Sequence, residues 1–279
     1  MDLSQATVLI TGSTDGVGRL VAKRVAAAGA RVLLHGRSDT KGRDTLAMIQ
    51  REAPGSHVQF FRADFASLED VRRLADEITS AHDRLETLIN NAGVGFGPPG
   101  GRREMSRDGH ELRFAVNYLA PFLLTHLLLP TLRRSTPSRI INVASIGQAP
   151  IDFDDVMLTR RYDGRQAYGQ SKLALVMFTF DLAVTLQGTG VTANAIHPAT
   201  LMDTKMVAQA GLRPQSSVDE GADAIFHLAT SPELDGVSGR FFDGRQEARA
   251  HPAAYDSRER QRLRELALEL TGQSADVTR

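Results

Sequence analysis

The chain has 279 residues, 42% of them hydrophobic and 24% charged, a length that suits one large domain or two small ones with an ample core. Lys and Arg number 33, as do Asp and Glu, so no global charge draws the chain to nucleic acid or to an acidic membrane surface. The lack of cysteine excludes disulfides, thiolate catalysis and Cys-ligated metals.

Residues 1–12 lack a basic n-region and run straight into a strand pattern, so a signal peptide is not expected. Short β-branched or aliphatic runs alternate with amphipathic segments along the rest of the chain. The runs 7–11, 31–35, 58–62, 85–90, 139–144, 191–196 and 239–242 predict strands. The segments 16–28, 40–51, 68–81, 109–132, 166–186 and 218–229 predict helices. The strands are continuously apolar, as expected when both faces are covered. Their alternation with helices predicts an α/β fold, a doubly wound parallel sheet of about seven strands with helices on both faces. No internal repeat or linker divides the sequence, so a single domain over 1–279 is expected.

After the first strand comes Thr11-Gly12-Ser13-Thr14-Asp15-Gly16-Val17-Gly18. Glycines permit a tight turn and close approach of backbone to a pyrophosphate, and the following helix N-terminus attracts negative charge. The spacing is Gly-x-x-x-Gly-x-Gly rather than the common dinucleotide fingerprint. The second strand ends in Leu34-His35-Gly36-Arg37. No carboxylate stands there for a ribose 2′-hydroxyl, whereas the Arg37 guanidinium suits a 2′-phosphate. NADP is therefore expected over NAD, with Asp15 as the opposing charge. The third strand ends in Arg62-Ala63-Asp64-Phe65, where Asp64 can accept from an adenine amino group or simply belong to an ordinary helix N-cap region, since Ser67 precedes a helix. The fourth ends in Asn90-Asn91-Ala92-Gly93, small residues with αL-tolerant Asn that let the backbone turn sharply beside a cofactor.

The apolar stretch 118–132 carries His126 and Pro130 and is too short to span a bilayer, so a soluble cytoplasmic protein is expected. Asn117, upstream of it, is poorly suited to an apolar helix face. Ser145 stands just past the fifth strand. The segment 146–165 follows, with Ile151, Phe153, Met157 and Leu158 among acids and bases. Asp152, Asp154 and Asp155 cluster in it, but no His joins them at ligand spacing, so no metal is expected.

Tyr168 and Lys172 stand four apart at the start of a predicted helix, on one face. At about 4 Å and an effective dielectric near 20, an ammonium favours a phenolate by on the order of 4 kcal/mol before desolvation. That would bring the phenol towards the range useful for general acid–base chemistry. The stretch 201–207, after the sixth strand, is a lid candidate because ligands of open α/β sheets bind beyond the carboxyl ends of strands. Met202, Met206 and Leu212, with Phe153 and Met157, could line an apolar pocket, and Phe96 to Pro99 another wall. The tail from Gln246 is polar, with a terminal helix predicted over 257–270.

Taken together, these motifs resemble the short-chain dehydrogenase/reductase family. The matching residues are Thr-Gly-x-x-x-Gly-x-Gly (11–18), Asp64, Asn-Asn-Ala-Gly (90–93), Asn117, Ser145, Tyr-x-x-x-Lys (168–172) and His-Pro-Ala-Thr (197–200). They fall in family order over essentially the whole chain. Arg37, the acidic segment after Ser145 and the ending at 231–242 look most like the retinol-dehydrogenase-like branch and its bacterial relatives. The resemblance implies a Rossmann-type fold and a carbonyl–alcohol oxidoreductase with NADP as cofactor. It implies cofactor contacts from the glycine turn (Gly12, Ser13, Thr14, Asp15, Gly16, Val17, Gly18), Arg37, Asp64, Phe65, Asn91, Ala92, Gly93, Pro198 and Thr200. Tyr168 would pass the proton, and Lys172 would lower the Tyr168 pKa and hold the nicotinamide ribose. Ser145 would hydrogen-bond the carbonyl, and Asn117 would help hold a water relaying protons to Lys172. Two departures stand out: Ala199 replaces the usual Gly after Pro198, and Tyr168 stands 23 positions after Ser145 where in many relatives the step is about a dozen. The long helices 109–132 and 166–186 resemble those that make four-helix contacts in homodimeric or homotetrameric relatives. Two other readings remain at this point: a non-catalytic NADP-binding regulatory protein, and a dehydratase or epimerase, for which the tail is short.

Overall fold

The computed structural model describes residues 2–274, so Met1 and the last five residues of the polar tail, 275–279, lie outside the described residues. Eight strands form one sheet: β1 (Thr7–Ile10), β2 (Arg31–Gly36), β3 (Val58–Arg62), β4 (Thr87–Asn90), β5 (Ser138–Val143), β6 (Val191–His197), β7 (Phe241–Asp243) and β8 (Gln246–Ala248). Their order is β3-β2-β1-β4-β5-β6-β7-β8, and every pair is parallel except β7–β8. The expected doubly wound sheet is therefore present, with one strand more than expected. That strand is made by residues whose polarity read as tail: β8 lies antiparallel at the edge, where one side needs no apolar cover.

Successive side chains of a strand point to opposite faces, and this sorts the core into two layers. Leu9, Leu33, Leu88 and Ile140 face α3 (Leu68–Ala81), α5 (Ala120–Arg134) and α6 (Gly164–Thr185). Val8, Ile10, Val32, Leu34, Ile89 and Ile141 face α1 (Gly16–Ala27), α2 (Asp39–Glu52) and α8 (Val218–Thr230). The order reverses between β1 and β4, whose carboxyl ends diverge at the crevice where open α/β sheets bind ligands.

The predicted helix over 109–132 is built differently. It begins as α4 (Leu112–Phe114), capped by Glu111, and widens through a π turn (Ala115–Leu119) into α5. In that turn the Ala120 N–H reaches back to Ala115, five residues away, which inserts one extra residue and puts Asn117 at its centre. Residues 112–134 thus form one continuous helix of 23 residues, long and apolar enough to cross a membrane, but 89% of its apolar window is buried inside the protein. A short α7 (Lys205–Gln209) begins within the lid candidate and runs past it, and α9 (Ser257–Thr271) is the predicted terminal helix. Leu263 and Ala267 of α9 join the core layer of α5 and α6, and a narrow slot among Tyr118, Phe122, Phe178, Leu182 and Leu263 marks the seam. This stretch of the face expected to meet another subunit is covered by the chain's own α9.

Candidate active site

The glycine turn is stitched to the end of β4. Thr11 Oγ1 accepts the N–H groups of Asn91 and Ala92, each at 2.9 Å, and Asn91 Nδ2 donates to the carbonyls of Thr11 and Gly12 at 2.8 and 3.1 Å. Gly12 has φ 65°, and a Cβ on it would come within 2.8 Å of the Ala92 backbone. Only glycine satisfies both demands. His35, which sequence reading gave no role, holds the turn from the β2 side. Its Nε2 faces the Ala63 carbonyl at 3.2 Å, which can only accept, so Nδ1 accepts the Gly12 N–H at 3.1 Å. Burial pushes the His35 pKa down to about 4, so the imidazole is neutral at physiological pH.

Gly16, Val17 and Gly18 open α1, and Asp15 caps it by accepting the Gly16 N–H at 2.9 Å. Lys41 and Lys205 approach the Asp15 carboxylate at 2.8 and 3.0 Å and, Lys41 first, hold its carboxyl well below the usual range. The negative charge that opposed a 2′-phosphate is thus matched by two ammonium groups, one of them from α7. Arg37 is exposed and has no hydrogen-bond or ion-pair partner among the described residues. Ser13 is buried under the turn, its Oγ accepting the His35 N–H at 2.9 Å, and Thr14 packs over Gly36. Asp64 turns one carboxylate oxygen onto the Ala66 N–H at 3.1 Å, a local turn ahead of α3, whose N-cap is Ser67. The Phe65 side chain points inward, its ring stacked on His35 at 4.3 Å, because an aromatic at this strand tip finds apolar cover below the crevice rather than in it.

At the carboxyl ends of β4 and β5, Asn117, Ser145, Tyr168 and Lys172 converge. Asn117 Oδ1 accepts the Val94 N–H at 2.8 Å, while its Nδ2 donates to the Val94 carbonyl at 3.0 Å and to Ser171 Oγ at 2.9 Å. These three bonds hold the side chain against the Gly93–Val94 loop and α6. Gly93 passes between Asn117 and Lys172: a Cβ there would lie 3.2 Å from Asn117 Oδ1 and 3.6 Å from Lys172 Nζ. Lys172 is buried, donates to the Val143 carbonyl at 2.9 Å, and is lowered by that burial to about 8.

Tyr168 is half-buried beside it, its ring centroid 5.7 Å from Lys172 Nζ. The expected depression of the phenol by Lys172 is not what this packing gives. Burial pushes the Tyr168 phenol above its ordinary value of 10.0, and the hydrogen bond with the Ser145 hydroxyl pulls the other way. Desolvation of the would-be phenolate outweighs a cation that is itself desolvated. Ser145 Oγ also accepts the Gly147 N–H at 3.0 Å, which fixes it at the end of β5. At the carboxyl end of β6, His197 Nε2 and Thr200 Oγ1 are 3.1 Å apart, with Pro198 and Ala199 buried between them.

The mouth of the site departs from the expected pocket. Phe96 stands edge-on to the Tyr168 ring, with centroids 5.7 Å apart, Met206 lies on Gly95, and Ile146 is 50% exposed nearby in sequence to Ser145. Three expected pocket residues point elsewhere. Met202 packs on Gly221 of α8, Phe153 lies under the Arg262 guanidinium at 4.7 Å, and the Met157 sulfur accepts the Glu111 N–H at 3.3 Å. The segment before α6 is irregular but well tied. Gln170 Nε2 donates to the Val156 carbonyl at 2.6 Å, Gln166 Nε2 to that of Pro150 at 2.8 Å, and Asp155 caps the Thr159 and Arg160 amides, each at 2.8 Å. Asp152 and Asp155 thus serve their own loop.

The short chain dehydrogenase family matches residues 6–214, from β1 through α7. Retinol dehydrogenase 13 of Homo sapiens is 37% identical over 291 residues, covering 98% of this chain and 86% of the relative. Polyprenol dehydrogenase of Homo sapiens is 35% identical over 291 residues, covering 97% of this chain and 86% of the relative. Among solved structures, the RhlG/NADP active-site complex of Pseudomonas aeruginosa superposes with a TM-score of 0.70 at 27% identity, over 87% of this chain and 96% of that one. A short chain dehydrogenase of Escherichia coli CFT073 complexed with NADPH gives a TM-score of 0.71 at 27% identity, over 88% and 99%. A family match spanning the glycine turn, Ser145, Tyr168 and Lys172, on a sheet of this order, leaves one conclusion: the chain belongs to the short-chain dehydrogenase family of oxidoreductases and is related to its retinol dehydrogenases.

Proposed function

We propose that the protein is an NADP(H)-dependent oxidoreductase that interconverts a carbonyl and an alcohol. The observation that carries this reading is the meeting of Ser145, Tyr168 and Lys172 at the carboxyl end of β5, one loop away from the glycine turn. When bound, the cofactor supplies the hydride that reduces the carbonyl carbon. The glycine turn and the first amides of α1 would hold its pyrophosphate, and exposed Arg37 its 2′-phosphate. The solved NADP and NADPH complexes of relatives support that choice.

Tyr168 donates the proton to the carbonyl oxygen. A phenol raised above 10.0 is protonated at neutral pH and suits the acid of a reduction. Ser145 orients that oxygen and stabilises charge developing on it. Lys172, anchored on Val143, presents its remaining N–H donors towards the cofactor side, and Asn117 keeps the Gly93–Val94 loop against it. The substrate is apolar: Phe96, Met206 and Ile146 frame the mouth, and two of the relatives are named for retinol and polyprenol.

The test is NADPH oxidation, followed by absorbance, against aldehydes and ketones of rising hydrophobicity. Turnover that rises with apolar length is expected. NADPH binding with no turnover across the panel would instead support a non-catalytic regulatory protein.

A further inference from the structure

Glu111 is fully buried, an uncommon place for a carboxylate. Burial pushes its pKa up, against the pull of the Phe114 amide and of Arg113. Its role as N-cap of α4 uses Oε2, which accepts the Phe114 N–H at 2.8 Å. Capping does not account for the other oxygen. Oε1 faces the Tyr162 hydroxyl at 3.4 Å and the Arg113 guanidinium at 3.5 Å. A surface Ser or Asp would cap as well without burying a charge.

Each of these partners leads to one wall of the substrate mouth. Arg113 Nε donates to the Gly95 carbonyl at 3.0 Å, and Gly95 precedes Phe96, the ring set against Tyr168. Tyr162 ends the irregular segment after Ser145 and stands one residue before Asp163, the N-cap of α6. The same segment is held at Met157, whose sulfur accepts the Glu111 N–H at 3.3 Å and whose carbonyl accepts Arg103 Nε at 2.7 Å. The Arg113 guanidinium lies 5.9 Å from the Tyr162 ring centroid, which closes the cluster.

From this geometry we infer that Glu111 is a positioning residue that sets substrate selectivity. Through Tyr162 it fixes the segment 146–163, and through Arg113 it fixes the Phe96 loop, so the gap between those walls decides which carbonyl reaches Tyr168. This rests on the carbonyl-reducing function proposed above.

Tyr162→Phe removes a single hydroxyl and keeps the ring over Arg113. With NADPH bound, the ratio of kcat/KM for a long-chain aldehyde to that for propanal should shift by about tenfold or more, since small changes in a pocket wall are worth that much. The dissociation constant for NADPH should stay within about twofold, because the cluster lies on the substrate side. Glu111→Gln, which keeps shape and acceptor, should retain more of the native ratio than Glu111→Ala. An unchanged ratio in Tyr162→Phe overturns the proposal, as does an equal loss for both substrates. A second readout needs no turnover. Amide exchange over 154–160 in the NADPH-bound protein should rise about tenfold in Tyr162→Phe, the scale of one lost hydrogen bond. Unchanged exchange also overturns the proposal, whereas a wild-type protein that reduces no carbonyl sinks the proposed activity and leaves exchange to decide the hold on the segment.

Discussion

His35 Nδ1 accepts the Gly12 N–H at 3.1 Å, tying the end of β2 to the glycine turn through a neutral ring. Its pKa in the folded protein is about 4, below its ordinary 6.5, so the unfolded chain binds more protons between those values. Stability is therefore complete above about pH 6.5 and is lost as the pH falls towards 4, by at most about 3 kcal/mol from this group. Urea midpoints measured across that window for wild type and His35→Asn should converge at low pH. A parallel pair of curves would show that His35 is not the group responsible.

Tyr168→Phe should cut turnover by about 10²–10⁴-fold, the range for losing a positioned acid, while NADPH binding persists. Ser145→Ala removes the hydrogen bond that lowers the Tyr168 phenol and, on the proposed mechanism, the donor to the carbonyl. Turnover should fall by about 10²–10³-fold, and the basic limb of the kcat/KM profile should move to higher pH. Full turnover in Tyr168→Phe would remove the phenol from the reaction.

Arg37→Ala should raise KM for NADPH by about tenfold or more while leaving NADH kinetics nearly unchanged, as expected for a bidentate phosphate contact. Equal losses with both cofactors would place Arg37 away from the 2′-phosphate.

Leu263 of α9 is 1% exposed in the core layer of α5 and α6. Leu263→Ala should destabilise the protein by about 2–5 kcal/mol. Thermal unfolding that leaves the midpoint unmoved would mean that α9 melts separately from the sheet.

The sheet was legible because seven of its strands are continuous apolar runs between helix patterns, and they lie within about two residues of where the pattern puts them. The pairing of Tyr168 with Lys172 was legible from their spacing, and the place of Ser145 beside them from the family resemblance. The π turn was not, since Ala-Val-Asn-Tyr-Leu is compatible with an ordinary helix and the widening accompanies the bonds from Asn117 to Val94, 23 residues away. The direction of the Tyr168 shift was missed for a related reason. A pairwise charge argument sees Lys172, whereas the packing that desolvates both groups is a property of the whole site. Met157 and Phe153 read as pocket lining because their partners, Glu111 and Arg262, are distant in sequence.

The position of α9 also bears on how the polypeptide is made. It follows all eight strands in chain order, yet it completes the cover over Phe122 and Phe178. A nascent chain emerging N-terminus first must carry those rings without their cover until the end of α9 leaves the ribosome. Incomplete translation products therefore display an adhesive apolar face and invite chaperones or self-association. A tag or fusion partner joined at this end sits beside the element that ends that exposure, whereas one placed before β1 does not.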